Sequence, residues 1–185
     1  MVGRRAALAA ALVLTVVAGA CSATGGVPSD PRARYIAALT TVFTRPDPGL
    51  SHEIGACAAR AMVDLVGAPA LTSKGVTAQQ LADSPNLKSL AVPLPVDAVD
   101  QLGDAFVACK VGPAMVRPFL RSMAREAGAK LGKGDIACVE DHVSSDAVAR
   151  GVALTFVGGT QASPAFDEVL AGVKGCPAAA SLLGV

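Results

Sequence analysis

Apolar residues recur along this chain at spacings of three and four, and no segment alternates with a period of two. That pattern predicts helices buried on one face. Asp30 followed by Pro31 reads as an N-cap and a first-turn proline. The segment 31–44 then sets Ile36, Leu39 and Phe43 on one face, with Tyr35 beside them. Ser51 caps a helix over 52–66 whose stripe is Ile54, Ala58, Ala61, Met62 and Leu65, with Cys57 pointing inward and Gly67 as the stop. A short helix at 69–74 follows, then a capping box from Thr77 to Gln80 over 78–83. The three prolines of 84–96 predict an extended crossing loop.

In the second half of the chain, residues 97–110 carry Val99, Leu102, Phe106 and Cys109 at helical spacing. Gly112-Pro113 opens a helix to about residue 126, with Val116, Phe119 and Met123 inward and Pro118 expected to kink or divide it. Helices at 133–143 and 146–157 meet near Ser144-Ser145. The latter has Val148, Val152, Thr155 and Phe156 as its inner face and Gly158-Gly159 as its end. Ser163-Pro164 starts a last helix bearing Phe166, Val169, Leu170 and Val173. The expected fold is all-α, a compact bundle of about six to eight short helices.

The first twenty residues follow a different rule. Arg4 and Arg5 precede an apolar run over 6–18, long enough for a signal h-region and short for a membrane span. The run ends in Val17-Ala18-Gly19-Ala20-Cys21, which resembles the lipobox of bacterial lipoproteins. The resemblance implies a signal peptide at 1–20 and diacylglyceryl and acyl chains (palmitate-type) on Cys21. Several chains on one residue make a stable membrane anchor. Residues 21–30 then form a tether to a helical domain over 31–185. Ala18-Gly19-Ala20 also fits ordinary signal-peptidase cleavage, so a secreted form is the alternative.

Removing the leader leaves 165 residues with 14 basic and 15 acidic side chains, a net charge of −1. Near-neutral charge argues against a nucleic-acid partner. The 3 % aromatic content argues against a base- or sugar-stacking platform. Thirty of the 37 alanines lie beyond the leader. Alanine favours helix and buries little area, so such a core needs close packing or covalent staples.

Four cysteines remain after Cys21: Cys57, Cys109, Cys138 and Cys176. An even number in an exported chain predicts two disulfides, with three pairings open. Leu50, Ala56 and Cys57 coincide with Leu131, Ala137 and Cys138 at a constant offset of 81, which suggests half-repeats at 50–110 and 131–177. That duplication and the shorter loops favour Cys57–Cys109 with Cys138–Cys176. The competing arrangement joins Cys57 to Cys138 and Cys109 to Cys176. A Leu50-Ser51 turn before a cysteine-bearing helix, followed by Gly75-Val76-Thr77, resembles the small cysteine-paired helical domains of actinobacterial exported proteins and lipoproteins. The resemblance implies a fold and a compartment, and no active site.

Candidate chemistry is sparse. His52-Glu53 and Glu140-Asp141-His142 are the His–acid clusters, and adjacent helical residues diverge too far to form a pocket alone. His52 lacks the second histidine of a zinc-binding H-E-x-x-H, and the cysteine spacings match no zinc or redox motif. Ser144, Ser145 and Asp146 sit outside any G-x-S-x-G elbow. Gly132-Lys133-Gly134 and Gly158-Gly159-Thr160 lack the phosphate-loop spacing and read as turns. Arg117, Arg121 and Arg125, with Lys130 and Lys133, suggest a basic face able to touch anionic headgroups. No catalytic residue, metal or cofactor is expected. The expectation is a non-catalytic envelope lipoprotein on the extracytoplasmic face of the cell membrane, binding an envelope protein or lipid. An apolar-ligand carrier and an envelope hydrolase are the alternatives.

Overall fold

Short-range side-chain signals set the helix starts in the computed structural model, which describes residues 29–46, 49–158 and 163–185. Asp30 accepts hydrogen bonds from the Arg32 and Ala33 amides at the head of α1 (Pro31–Phe43). Ser51 accepts from Ile54 at the head of α2 (His52–Val66), and Gly67 ends that helix at φ +82°. After α3 (Ala68–Ser73), Thr77 and Gln80 close a reciprocal box at the head of α4 (Ala78–Asp83), with bonds of 3.1 and 2.8 Å. Ser144 and Ser163 accept from the amides of Ala147 and Phe166 at the heads of α8 (Ser145–Val157) and α9 (Pro164–Lys174). Each such bond satisfies one of the amides a helix start leaves without a partner. The remaining helices are α5 (Ala98–Ala108), α6 (Val111–Glu126), α7 (Lys133–His142) and α10 (Pro177–Leu183).

The described residues thus form ten helices and no strand, two more than the upper expected number. Short α3 and α4 count as separate elements, and α10 is an alanine-rich turn after Cys176 that the pattern of large apolar residues leaves unmarked. Pro118 does not divide α6, which runs unbroken over 16 residues. Its inner face is Val111, Gly112, Val116, Leu120 and Ala124, a stripe one position away from the expected Phe119 and Met123. Those two are only half-buried. In α8 the inner face is likewise Ala147, Val148, Ala149, Ala153 and Val157, and Thr155 is exposed. In α6 the inward turn is taken by Leu120 in place of Phe119, next to Gly112 and Ala124 on the contact face, and in α8 the contact face is mostly alanine. Counting large side chains misplaces a face that small residues line, because close helix approach favours Gly and Ala there.

Two apolar clusters form the interior. The first gathers Leu39, Phe43, Met62, Leu81, Leu102 and Phe106 from α1, α2, α4 and α5. The second gathers Leu120, Val139, Val169, Val173 and Ala179 from α6, α7, α9 and α10. Helix α8 belongs to both, giving Ala149, Ala153 and Val157 to the first and Ala147 and Val148 to the second. Three of the five phenylalanines, Phe43, Phe106 and Phe156, meet edge-to-face with ring centroids 5.2–6.1 Å apart. Such pairs add to simple area burial, which compensates for an interior otherwise poor in large side chains.

The 84–96 segment is a loop, but not extended throughout: residues 87–91 form a turn closed by Ala91 N–H to Lys88 O, and the segment is pinned at the end of α8. Leu87 donates its backbone amide to Phe156 O at 2.7 Å, and the Asn86 side-chain Nδ2 donates to Thr155 O at 3.0 Å. Gly112 permits the closest helix approach, since a Cβ there would lie 1.8 Å from the Ser145 carbonyl oxygen. Two disulfides are present, Cys57–Cys109 and Cys138–Cys176. The first joins α2 to the end of α5, and the second joins α7 to the start of α10.

Candidate functional site

Two surface features combine polar chemistry with defined geometry. The first is a shallow open groove of about 530 Å³ between α1 and α2. Ala33, Ile36, Ala37, Thr40 and Thr41 line it from α1 and Thr44 from that helix's C-cap, and His52, Ala56 and Arg60 line it from α2, with Arg32 at one end. The positions on α2 are four apart, so one helix face supplies them all. The threonine hydroxyls donate to backbone oxygens: Thr40 to Ile36 O, Thr41 to Ala37 O and Thr44 to Thr40 O. Arg32 is held by a two-pronged ion pair with Asp64, with contacts of 2.7–2.9 Å. Arg60 donates from Nε to Ala56 O at 3.2 Å. The walls are thus apolar and threonine side chains, with Arg60 on the rim and the charge of Arg32 matched by Asp64. His52 sits in this lining among alanine, isoleucine, threonine and arginine side chains.

The second feature was not anticipated from the sequence. His142 packs against the Cys138–Cys176 disulfide, with Nδ1 3.8 Å from Cys138 Sγ and 3.7 Å from Cys176 Sγ. The same nitrogen lies 2.8 Å from Cys138 O. A carbonyl only accepts, so Nδ1 carries the hydrogen and donates it. The two sulfurs and the imidazole nitrogen all lie within 4.8 Å of one another. Two thiolates and an imidazole are soft metal ligands, but sulfurs bonded to each other offer no thiolate. The signal for this contact is present in the sequence, since Cys138 and His142 are four residues apart on α7 and share a face. What was missing was Cys176, 34 residues further on.

No protein family, curated protein or solved structure matches the chain.

The other sequence candidates are dispersed. Cys21 lies outside the described residues. His52 and His142 sit on α2 and α7, which do not touch. Ser144 is the N-cap of α8, and Ser145 and Asp146 form its first turn. Gly132 is the N-cap of α7 and donates its amide to Asp135 at 2.8 Å. Arg117, Arg121 and Arg125 do line an exposed side of α6, but Arg117 is paired with Glu140. The hydrogen bond from Arg117 holds the Glu140 carboxyl below the ordinary carboxylate range, and Glu140 in turn raises the Arg117 guanidinium. The basic face is therefore partly neutralised at its N-terminal end. Among the described residues, no helix is long and apolar enough to cross a membrane.

Proposed function

We propose that this chain is a non-catalytic cell-envelope domain, anchored to the extracytoplasmic face of the membrane by lipid on Cys21, that binds an envelope partner through its helical surface. The observation that carries the reading is the run from Arg4-Arg5 through the apolar stretch to Ala18-Gly19-Ala20-Cys21. Two disulfides in the helical domain support it, since such bonds persist in oxidising compartments. The groove between α1 and α2, apolar and threonine-walled with Arg60 on its rim, supplies a binding surface. It begins at Arg32, and a fully extended tether from Cys21 reaches at most about 35 Å. That distance keeps the groove near anionic headgroups and the membrane-proximal ends of envelope proteins.

Expression of the full chain in a bacterial host with lipoprotein processing tests the anchor. Intact mass of detergent-extracted protein should show a mature form starting at Cys21 and carrying diacylglyceryl. Cys21→Ser should leave the precursor unprocessed. A mature form starting at Cys21 without lipid would overturn the reading.

A further inference from the structure

The two disulfides differ in one respect that matters to their chemistry. Their exposure is closely matched. In each, the first cysteine is half-buried and the second is buried, Cys109 at 9 % and Cys176 at 2 %. Around Cys57–Cys109, among the described residues, no side chain hydrogen-bonds to sulfur. Around Cys138–Cys176 the His142 imidazole lies against both sulfurs, its Nδ1 2.8 Å from Cys138 O and 3.7–3.8 Å from the two Sγ atoms. The ring is seated by Gly175. A Cβ at that position would lie 2.9 Å from His142 Cδ2, so a larger residue would displace the imidazole.

We propose that Cys138–Cys176 is a thiol–disulfide exchange site for low-molecular-weight thiols, with His142 as the hydrogen-bond donor to the departing sulfur. A thiolate attacks Cys138 Sγ, the more exposed of the two. A new bond joins the incoming sulfur to Cys138, the Cys138–Cys176 bond breaks, and its electron pair goes to Cys176 Sγ as a thiolate. Exchange is faster when the leaving sulfur is stabilised as a thiolate. The His142 Nδ1–H donates to Cys138 O while the disulfide is closed, and it lies 3.7 Å from Cys176 Sγ, so the thiolate draws that hydrogen bond to itself as it forms. A second thiolate then attacks the incoming sulfur, releases the external disulfide and frees Cys138. Two external thiols are oxidised and one protein disulfide is reduced. In reverse, the Cys176 thiolate resolves a mixed disulfide on Cys138 and restores the staple. Val139 on α7 and Val173 on α9 belong to the cluster beside this bond, so its state bears directly on the packing of α7, α9 and α10. The inference is independent of the lipid anchor.

The test is exposure of the full mature chain to reduced glutathione, quenching by alkylation at set times, and peptide mapping by mass. Cys138–Cys176 should open about tenfold faster than Cys57–Cys109, the scale of one hydrogen bond to a charged group. Glutathione should appear first on Cys138. His142→Leu should slow the opening by about the same factor. His142→Asn, which keeps an N–H donor near the Nδ1 position, should retain most of the rate. Gly175→Ala, which keeps the imidazole and moves it, should slow opening as His142→Leu does. Loosened packing would speed opening, so loss of the donor and loss of structure move the rate in opposite directions. Equal rates for the two wild-type disulfides, first modification at Cys176, or unchanged or faster opening in His142→Leu would each overturn the proposal.

Discussion

Phe106 and Phe119 look alike in the sequence, each on an apolar face of a helix, and the structure separates them. Phe106 is fully buried and meets Phe43 and Phe156 edge-to-face. Phe119 is half-buried at the margin of the second cluster, because the neighbouring Leu120 takes the inward position. Phe106→Ala should therefore cost about 3–5 kcal/mol in reversible urea unfolding, whereas Phe119→Ala should cost less than half of that. Equal losses would mean that the Leu120 face does not set the orientation of α6. Polar residues are as firmly specified. Tyr35 donates its hydroxyl to Val76 O at 2.6 Å, tying α1 to the turn before α4. Thr40, buried in the same helix, donates to Ile36 O at 2.7 Å. Among the described residues, no buried side-chain nitrogen or oxygen lacks a partner. In an interior this short of large side chains, an unmet polar group would cancel the burial of a whole apolar residue.

At the scale of the element, most helix limits are written in their own few residues. Asp30, Ser51, Thr77, Ser144 and Ser163 cap helices by bonds to amides two or three positions away. A signal whose donor and acceptor lie within one turn is readable without knowing the fold. The face a helix buries is a different matter when small residues line it. Gly112 faces the Ser145 carbonyl across the contact between α6 and α8, whereas Gly151, also in a helix, meets nothing within 4 Å. Gly112→Ala should destabilise the protein by about 3 kcal/mol through forced separation of α6 and α8. Gly151→Ala should stabilise it by about 0.5–1 kcal/mol through helix propensity. Chemical denaturation of both variants distinguishes packing from propensity, and a stable Gly112→Ala protein would contradict the α6–α8 contact.

For the whole molecule, the governing feature is the sharing of α8 between two clusters. The disulfides are local, each closing its own stretch of chain, with sequence separations of 52 and 38 between the joined cysteines. The non-covalent interior is not local, since α8 follows both cysteines of the first disulfide in sequence and still completes the first cluster. Thermal or urea unfolding should accordingly be a single transition, with far-UV dichroism and Tyr35 fluorescence coincident. Two separated transitions would show that the shared helix does not couple the clusters. Replacing either cysteine pair by Ala should lower stability by up to about 4 kcal/mol, the loss of loop-closure restriction in the unfolded chain. The groove between α1 and α2 lies in the first cluster's half, and the histidine-flanked disulfide lies in the second's. Each feature is thus held by a core of its own and joined to the other through α8.

By itself, the sequence determined the all-α class, the caps and the presence of a loop over 84–96, and it favoured the observed cysteine pairing over an alternative it left open. Those follow from backbone preferences, local hydrogen bonds and the lower cost of closing shorter loops. Tertiary structure alone decided which helix faces look inward where Gly and Ala line the contact, and that α8 serves two clusters. It also decided that His142 rests on the Cys138–Cys176 bond. The i, i+4 spacing placed Cys138 and His142 on one face, but Cys176 arrives from the far end of α9, where Gly175 leaves room for the ring. Contacts between distant segments depend on how whole surfaces fit together, and no short stretch of chain carries that information.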